Sequence, residues 1–285
     1  MRFGKRSVGR ILKRQKNIST NNEPCYNPDA DKSKPPTLVL IHGLGSAATA
    51  FKPIIPALSK SFRAITVDLP GHGQSPYNKG QAMDPKSLGR AIFETVEREY
   101  GVKEFHVVGN SLGGWIALEM AADQPQRIKT LTGLAPAGLW LKPASGRTPS
   151  EAWSYYMAKV LRPVIRAGLH VIALRKIGYA NVSPKWKEFS YEICYDSAYA
   201  MGHATGYFQA WDGMLGRRFE AHIPENVPVT ILFGDTDNTL PYPHSQERSL
   251  TPAHASWIVI DNCGHAPMWD YPELMVKIIS QTSGQ

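Results

Sequence analysis

Six short apolar segments, separated in several places by helical patterns, constrain the fold of this chain most strongly. They are rich in Val, Ile, Leu and Thr and nearly continuous in hydrophobicity, as strands buried on both faces are. The six segments are residues 37–41, 63–67, 105–108, 129–134, 229–233 and 257–260. Helical patterns follow at 85–100, 111–124 and 272–280. This alternation predicts an α/β fold with a mostly parallel sheet that is covered by helices on both faces.

The chain between the fourth and fifth segments has a different composition. The alternation stops after residue 136, and fourteen of the chain's 28 aromatic residues lie between Trp140 and Phe219. We predict that residues 137–226 form an inserted helical cap over the strand ends, in which most aromatics pack in the core and a few line an apolar pocket. The α/β core is then residues 37–136 and 227–285, and residues 1–36 form a basic tail and linker.

The positive charge of the chain is concentrated at its beginning. Seven basic residues and no acidic residue lie in the first sixteen positions, and the formal net charge of +8 leaves +1 for the rest. We therefore expect no nucleic-acid partner for the folded body. A solvated, partly disordered extension is the preferred interpretation of residues 1–16, and a weak contact with an anionic surface is an alternative. A targeting role of this tail, or peripheral membrane association through it, stays open.

No segment predicts a membrane span. The longest candidate, residues 157–177, is interrupted by five basic residues and a proline, whereas a span needs about 20 apolar residues. The three cysteines, Cys25, Cys194 and Cys263, are widely spaced and odd in number. Reduced thiols and a cytoplasmic location are the expectation.

A serine between two glycines follows the third predicted strand. The segment from Gly109 to Gly113 reads Gly-Asn-Ser-Leu-Gly. In a tight strand-to-helix turn this pattern exposes the serine Oγ, and the next backbone N–H points at the same space. Glycine is needed at both flanks because two backbones approach without room for a Cβ. Ser111 is therefore the candidate nucleophile, at the helix end that favours negative charge.

A nucleophilic serine needs a base within hydrogen-bond reach, and the base needs an acid that fixes its tautomer. His265 is the candidate base because it lies in the loop after the last strand. Two carboxylates, Asp235 and Asp237, follow the fifth strand, and the residues alone leave both open as the acid. His42 and His72 are expected to shape turns. The spacing of histidines and carboxylates indicates no metal site, and we expect no cofactor.

Four motifs in chain order resemble those of α/β-hydrolase-fold serine hydrolases. They are His-Gly-Leu-Gly at 42–45, Asp-Leu-Pro-Gly-His-Gly-Gln-Ser at 68–75, the serine turn at 109–113 and Gly-His-Ala-Pro at 264–267. The resemblance extends over roughly residues 37–280, and the order serine, acid, histidine is the one this fold uses. Such proteins usually begin with a strand hairpin, for which no strong pattern is visible before Thr37.

The resemblance implies a role for each candidate residue. Ser111 corresponds to the nucleophile and His265 to the base. The family's Gly-x-x-Asp pattern selects Asp237 as the acid, with Asp235 as a turn residue. The backbone N–H groups of Leu44 and Leu112 correspond to the oxyanion hole.

The function these residues predict is hydrolysis of an ester-like bond in a small, largely apolar substrate through an acyl-serine intermediate. Relatives with an aspartate nucleophile, such as haloalkane dehalogenases, are excluded by Ser111. The turn also resembles that of C–C bond hydrolases and haloperoxidase-like members, so C–C hydrolysis, acyl transfer and perhydrolysis remain alternatives. A ligand-binding receptor without catalysis is a more distant one. The residues do not predict the oligomeric state.

Overall fold

The computed structural model describes residues 35–285, apart from the side chains of Ser150 and Glu151. The predicted basic tail, most of the linker and Cys25 lie outside the described residues. The whole of the predicted core and of the predicted insertion falls within them.

Six strands form one sheet, and every neighbouring pair in it is parallel. The strands are β1 Thr37–Ile41, β2 Arg63–Val67, β3 Phe105–Asn110, β4 Ile128–Leu134, β5 Val229–Gly234 and β6 Ser256–Ile260. Their order across the sheet is β2-β1-β3-β4-β5-β6. The six predicted segments match these strands to within two residues at each end. Since all strands are parallel, the loops after them meet at one edge of the sheet, where ligands of α/β proteins bind.

Ten α-helices and four short 3-10 helices surround or extend the sheet in the described residues. The α-helices are α1 Ile55–Leu58, α2 Pro85–Tyr100, α3 Leu112–Asp123, α4 Pro149–Val160, α5 Ile165–Gly168, α6 Ile172–Tyr179, α7 Tyr191–His203, α8 Tyr207–Met214, α9 Pro267–Asp270 and α10 Pro272–Thr282. The 3-10 helices are Ala48–Phe51, Pro125–Arg127, Trp186–Glu188 and Arg248–Leu250. Helix α2 is capped by the Asp84 side chain, which accepts a hydrogen bond from Ser87 N, and it ends at Gly101 in the left-handed conformation.

Two apolar cores cover the two faces of the sheet. Val39 and Ile41 of β1 pack in one core with helices α2 and α3, whereas Leu38 and Leu40 pack in the other with α1 and α10. This alternation follows from the period of two along a strand. Helices therefore cover both faces, as the sequence predicts, and the inner strands β3 and β5 are buried at every position, whereas the edge strands β2 and β6 are partly exposed.

The chain between β4 and β5 contains helices α4 to α8, and it contacts the loops at the carboxyl edge of the sheet. The Gly206 N–H donates to the Gly71 carbonyl at 3.1 Å, in the loop after β2. The His265 N–H donates to the Val182 carbonyl at 2.8 Å, after β6. Over the described part of the chain, no helix is long and apolar enough to cross a membrane.

Candidate active site

Ser111 is the residue that connects β3 to α3, and its backbone is strained. Its φ of 55° and ψ of −120° are outside the helical region, so the helix begins at Leu112 and not at Ser111 as predicted. Such a backbone costs about 1–3 kcal/mol in a residue other than glycine and persists only when its surroundings fix it. Here the Ser111 N–H donates to Leu134 O at 3.1 Å, and the Ser111 carbonyl accepts from the N–H groups of Gly114, Trp115 and Ala137.

The flanking glycines are required by close backbone contacts, as the sequence analysis predicts. A Cβ added at Gly109 would lie 2.1 Å from the Gly113 carbonyl oxygen. A Cβ added at Gly113 would lie 2.1 Å from the Ile41 carbonyl oxygen. The turn is therefore held tightly against both itself and the end of β1.

Asp237 and His265 form a direct pair at the same edge of the sheet. His265 Nδ1 lies 2.8 Å from Asp237 Oδ2, and the Asp237 side chain is buried. The other oxygen of Asp237 accepts hydrogen bonds from the N–H groups of Thr239 and Leu240, at 2.9 and 2.8 Å. The carboxylate is thereby fixed in place, and it holds the imidazole with Nε2 available to other groups.

The pKa of Asp237 lies below its ordinary value. Burial alone would raise it, but the charge and hydrogen bond of His265 lower it, as do the N–H groups of Leu240 and Thr239. Asp237 is therefore ionised at neutral pH, which suits an acid that stabilises a positively charged imidazole.

The neighbouring carboxylate, Asp235, is exposed and turned away from His265. Its Oδ1 accepts from Thr236 Oγ1 at 2.6 Å and from the Cys263 N–H at 3.3 Å. Of these two carboxylates, Asp237 thus contacts the histidine, whereas the hydrogen bonds of Asp235 lie within the turn.

Ser111 and His265 reach the same region from neighbouring loops and are linked through Asn110. The Asn110 amide donates to Leu134 O at 3.0 Å and to His265 O at 3.1 Å, which ties the serine turn to the histidine loop. Across residues 35–285, no hydrogen bond joins the Ser111 hydroxyl to His265. Catalytic hydrogen bonds are often long without substrate and tighten when the complex forms.

The loop after β1 lies directly against the serine turn. A Cβ added at Gly43 would lie 2.9 Å from the Ser111 Cβ. His42 Nδ1 faces Gly43 O at 2.7 Å and His42 Nε2 accepts from the Leu69 N–H at 3.1 Å, which fixes a neutral tautomer. His42 is fully buried, and burial lowers its pKa to about 4. It therefore shapes the loop, as predicted.

The two predicted oxyanion donors are free within this part of the chain. Neither the Leu44 N–H nor the Leu112 N–H donates to an acceptor among the described residues. Leu112 is the first residue of α3, where N–H groups have no partner within the helix. Both groups could therefore serve an oxyanion beside Ser111.

A family model described as the alpha/beta hydrolase fold matches residues 36–272. This chain belongs to the α/β hydrolase fold family. The fold and family that the four motifs predict are thus confirmed.

Several known proteins are similar to this α/β hydrolase over most of its length. A protein of Stutzerimonas stutzeri (strain A1501), named "Putative carbamate hydrolase RutD", is 27% identical over 244 residues, 84% of this chain and 86% of that one. Monoacylglycerol lipase ABHD6 of Bos taurus is 20% identical over 274 residues, 90% of this chain and 77% of that one. The structure of the meta-cleavage product hydrolase CumD from Pseudomonas fluorescens IP01 matches with a TM-score of 0.66 and 19% identity, covering 87% and 90% of the two chains.

Asp270 secures the histidine loop and lies outside the four sequence motifs. Its buried carboxylate accepts from the Gly264 N–H at 2.7 Å and from the hydroxyl of Ser183 in the insertion. Burial raises the pKa of Asp270, while the hydrogen bonds from Ser183 and Gly264 oppose that shift. An acid within the apolar run at residues 266–271 is the signal that could have found it, because buried carboxylates need partners.

The buried thiols take no part in this site. Burial raises the pKa of Cys194 and of Cys263, so both stay protonated at neutral pH. Among the residues described, no group of three or more His, Cys, Asp or Glu side chains could hold a metal ion.

The insertion lies close above the predicted oxyanion loop. A Cβ added at Gly45 would lie 2.6 Å from Met201 Sδ and 2.9 Å from a ring carbon of Tyr207. Tyr207 stacks on Tyr155 with ring centroids 4.8 Å apart. A cavity of about 300 Å³ opens nearby between the loop after β1 and helix α7, lined in part by Ser46, but not by Ser111. Next to the predicted oxyanion loop the insertion thus places the apolar groups of Met201 and Tyr207, whereas the cavity is lined largely by polar side chains.

Proposed function

We propose that this α/β hydrolase is a serine hydrolase that cleaves an ester-like bond in a small, largely apolar substrate through an acyl-serine intermediate. The observation that carries the proposal is the buried pair of His265 Nδ1 and Asp237 Oδ2, 2.8 Å apart, in the loops beside the Ser111 turn. The lipase among its relatives acts on an ester, which agrees with this reaction.

In this mechanism His265 removes the Ser111 proton as Oγ attacks the carbonyl carbon. The N–H groups of Leu44 and Leu112 stabilise the oxyanion, and loss of one such donor typically costs about 10²–10³-fold in rate. His265 then protonates the leaving alcohol, and water repeats the cycle to release the acid. Asp237 stabilises the imidazolium that forms in both steps.

We also propose that residues 137–226 act as a cap that selects the substrate. The contacts of Gly206 with the loop after β2 and of Val182 with His265 support this role, because they join the insertion to two loops of the site. Met201 and Tyr207, next to Gly45, favour an apolar acyl or alcohol group over a charged one.

A panel of p-nitrophenyl esters with acyl chains of increasing length tests the reaction class. We expect turnover that is lost in Ser111→Ala and that peaks at one range of chain lengths. A ring-cleavage diketone and a peroxide assay, run in parallel, test the alternatives of C–C hydrolysis and perhydrolysis. If the protein turns over the diketone but none of the esters, the proposed reaction is wrong and C–C hydrolysis by the same residues takes its place.

A further inference from the structure

Helices α4 to α6 expose an unusual number of large apolar side chains. Val160 is 71% exposed, Ile177 81% and Trp153 66%, and Val164 and Ile172 are each more than half exposed. We call residues 153–177 the outer surface of the insertion. Scattered exposed apolar residues are normal, but a concentration of them in one segment marks an interaction site.

The opposite side of these helices is packed, so the exposed side has no partner within the described chain. Helix α4 lies against α7, where a Cβ added at Gly202 would lie 2.8 Å from Ala158 O. The Tyr191 hydroxyl of α7 donates to Arg166 O of α5 at 3.0 Å. Leu169 and Tyr179 are buried in a small core with residues of α7.

The same segment is strongly basic. Between residues 153 and 177 the sequence has five Lys or Arg and no Asp or Glu. Lys159, Arg162, Arg166 and Lys176 are exposed, and none of them forms an ion pair with a described side chain. Basic side chains can extend their charged ends to an anionic layer while their stems lie along apolar groups.

We propose that the outer surface of the insertion docks on an anionic phospholipid bilayer. Apolar side chains with interspersed Lys and Arg, together with the exposed rings of Trp153 and Tyr156, are the composition of a surface that lies in the headgroup region. A second copy of the chain fits worse, because a two-fold contact would bring like charges together. The proposal concerns binding and is independent of the chemistry at Ser111.

Docking would also fix the position of the candidate site relative to the bilayer. Helix α4 packs on α7, and Met201 of α7 lies against Gly45 in the predicted oxyanion loop. Docking would therefore bring the insertion side of the candidate site close to the lipid surface.

The test is co-sedimentation of the full chain with vesicles of phosphatidylcholine and phosphatidylglycerol in a 7:3 ratio, and with phosphatidylcholine alone. We expect binding to the anionic vesicles that weakens with salt. Each basic residue near such a surface strengthens binding, so replacing Lys159, Arg162, Arg166 and Lys176 by Gln should raise the apparent Kd by at least about tenfold.

A matched control variant has the same net charge as the first variant and leaves the basic first sixteen residues unchanged. Lys60, Lys79, Lys103 and Lys277 are exposed outside the insertion and form no ion pair with a described side chain. Replacing these four by Gln should leave binding within about twofold of the unaltered chain, as should Ser111→Ala. The Ser111→Ala arm separates this proposal from the proposed function.

Insertion depth gives a second readout. Brominated lipids should quench Trp153, so Trp153→Phe should remove most of the quenching. The proposal is overturned if the two Gln variants bind equally, or if the full chain ignores anionic vesicles. It is also overturned if sedimentation velocity finds a dimer that Ile177→Ser dissociates.

Discussion

The pairing of Asp237 with His265 makes a strong prediction for single residues. Asp237→Asn should lower kcat by about 10⁴-fold, because the amide would hold the imidazole in the wrong tautomer. Asp235→Asn should leave kcat within a few-fold, since the hydrogen bonds of Asp235 are with Thr236, Asn262 and Cys263 and not with His265. Steady-state kinetics on the best p-nitrophenyl ester measures both. The opposite ranking would move the acid to Asp235.

Asn110 provides a second prediction at this scale, as a positioning residue. Asn110→Ala removes the donor of two carbonyls, Leu134 O and His265 O, in a buried setting. We expect a loss of about 1–3 kcal/mol in unfolding free energy, from urea titration. We also expect kcat to fall while KM changes little, because His265 loses its link to the serine turn. Unchanged stability and kcat would show that neither bond matters.

A residue of the candidate site can be predicted from the sequence where the residues next to it fix its geometry. Ser111 and its glycines could be identified because the turn is fixed by adjacent residues. Asp237 needed the family pattern, since Asp235 is chemically equivalent in the sequence. Asn110 contacts the histidine loop from 155 residues away, and sequence spacing carries no information on such a contact. Asp270 lies only six residues from Gly264, and its place in an apolar run is a sequence signal for a buried carboxylate that needs partners.

At the scale of elements, the serine turn depends on backbone approach. Gly113→Ala places a Cβ 2.1 Å from Ile41 O, so β1 and α3 would have to move apart. We expect a loss of about 3 kcal/mol, the upper end of what overpacking typically costs, or a failure to fold. Gly178→Ala is the matched control, because a Cβ there meets nothing within 4 Å. It should be neutral or stabilise α6 by about 0.5–1 kcal/mol. Equal thermal stability of both variants would contradict this reading of the turn.

The strands and the insertion differ in how far their sequence determines them. The bounds of the mostly buried strand β1 and of the edge strand β2 agree with the predicted segments to the residue, because apolar runs between polar loops leave little choice of boundary. In the insertion, the composition indicated helices but not their packing. Whether Trp153 is exposed or Tyr155 is buried depends on the position of α7, which the spacing of aromatics does not encode.

At the scale of the whole molecule, two buried histidines should control acid stability. Burial lowers the pKa of His42 to about 4, and burial together with the charge of His42 lowers that of His72 to about 3. The unfolded chain protonates both near pH 6.5, so the folded state loses relative stability as pH falls from 6.5 towards 4. The loss should approach about 3 kcal/mol per histidine at pH 4. Urea midpoints measured between pH 7 and 4 test this, and a flat profile would contradict it.

The charge of residues 17–285 is unevenly distributed along the chain, although its sum is close to zero. Removing the basic first sixteen residues leaves +1, but residues 152–187 alone carry +7, so the remainder carries −6. The near-neutral body is thus a basic insertion on an acidic core. This asymmetry was readable from the sequence. The asymmetry matters because exposed apolar side chains lie on the same helices as the basic residues.

Covalent labelling by a fluorophosphonate tests the central claim most directly. This probe phosphonylates a serine only where a base activates it and an oxyanion site receives the developing charge. Intact mass and peptide mapping should place one adduct on Ser111, with labelling abolished in Ser111→Ala and strongly slowed in Asp237→Asn. No adduct on folded protein, or an adduct that survives Ser111→Ala, would contradict the assignment of Ser111 as the nucleophile.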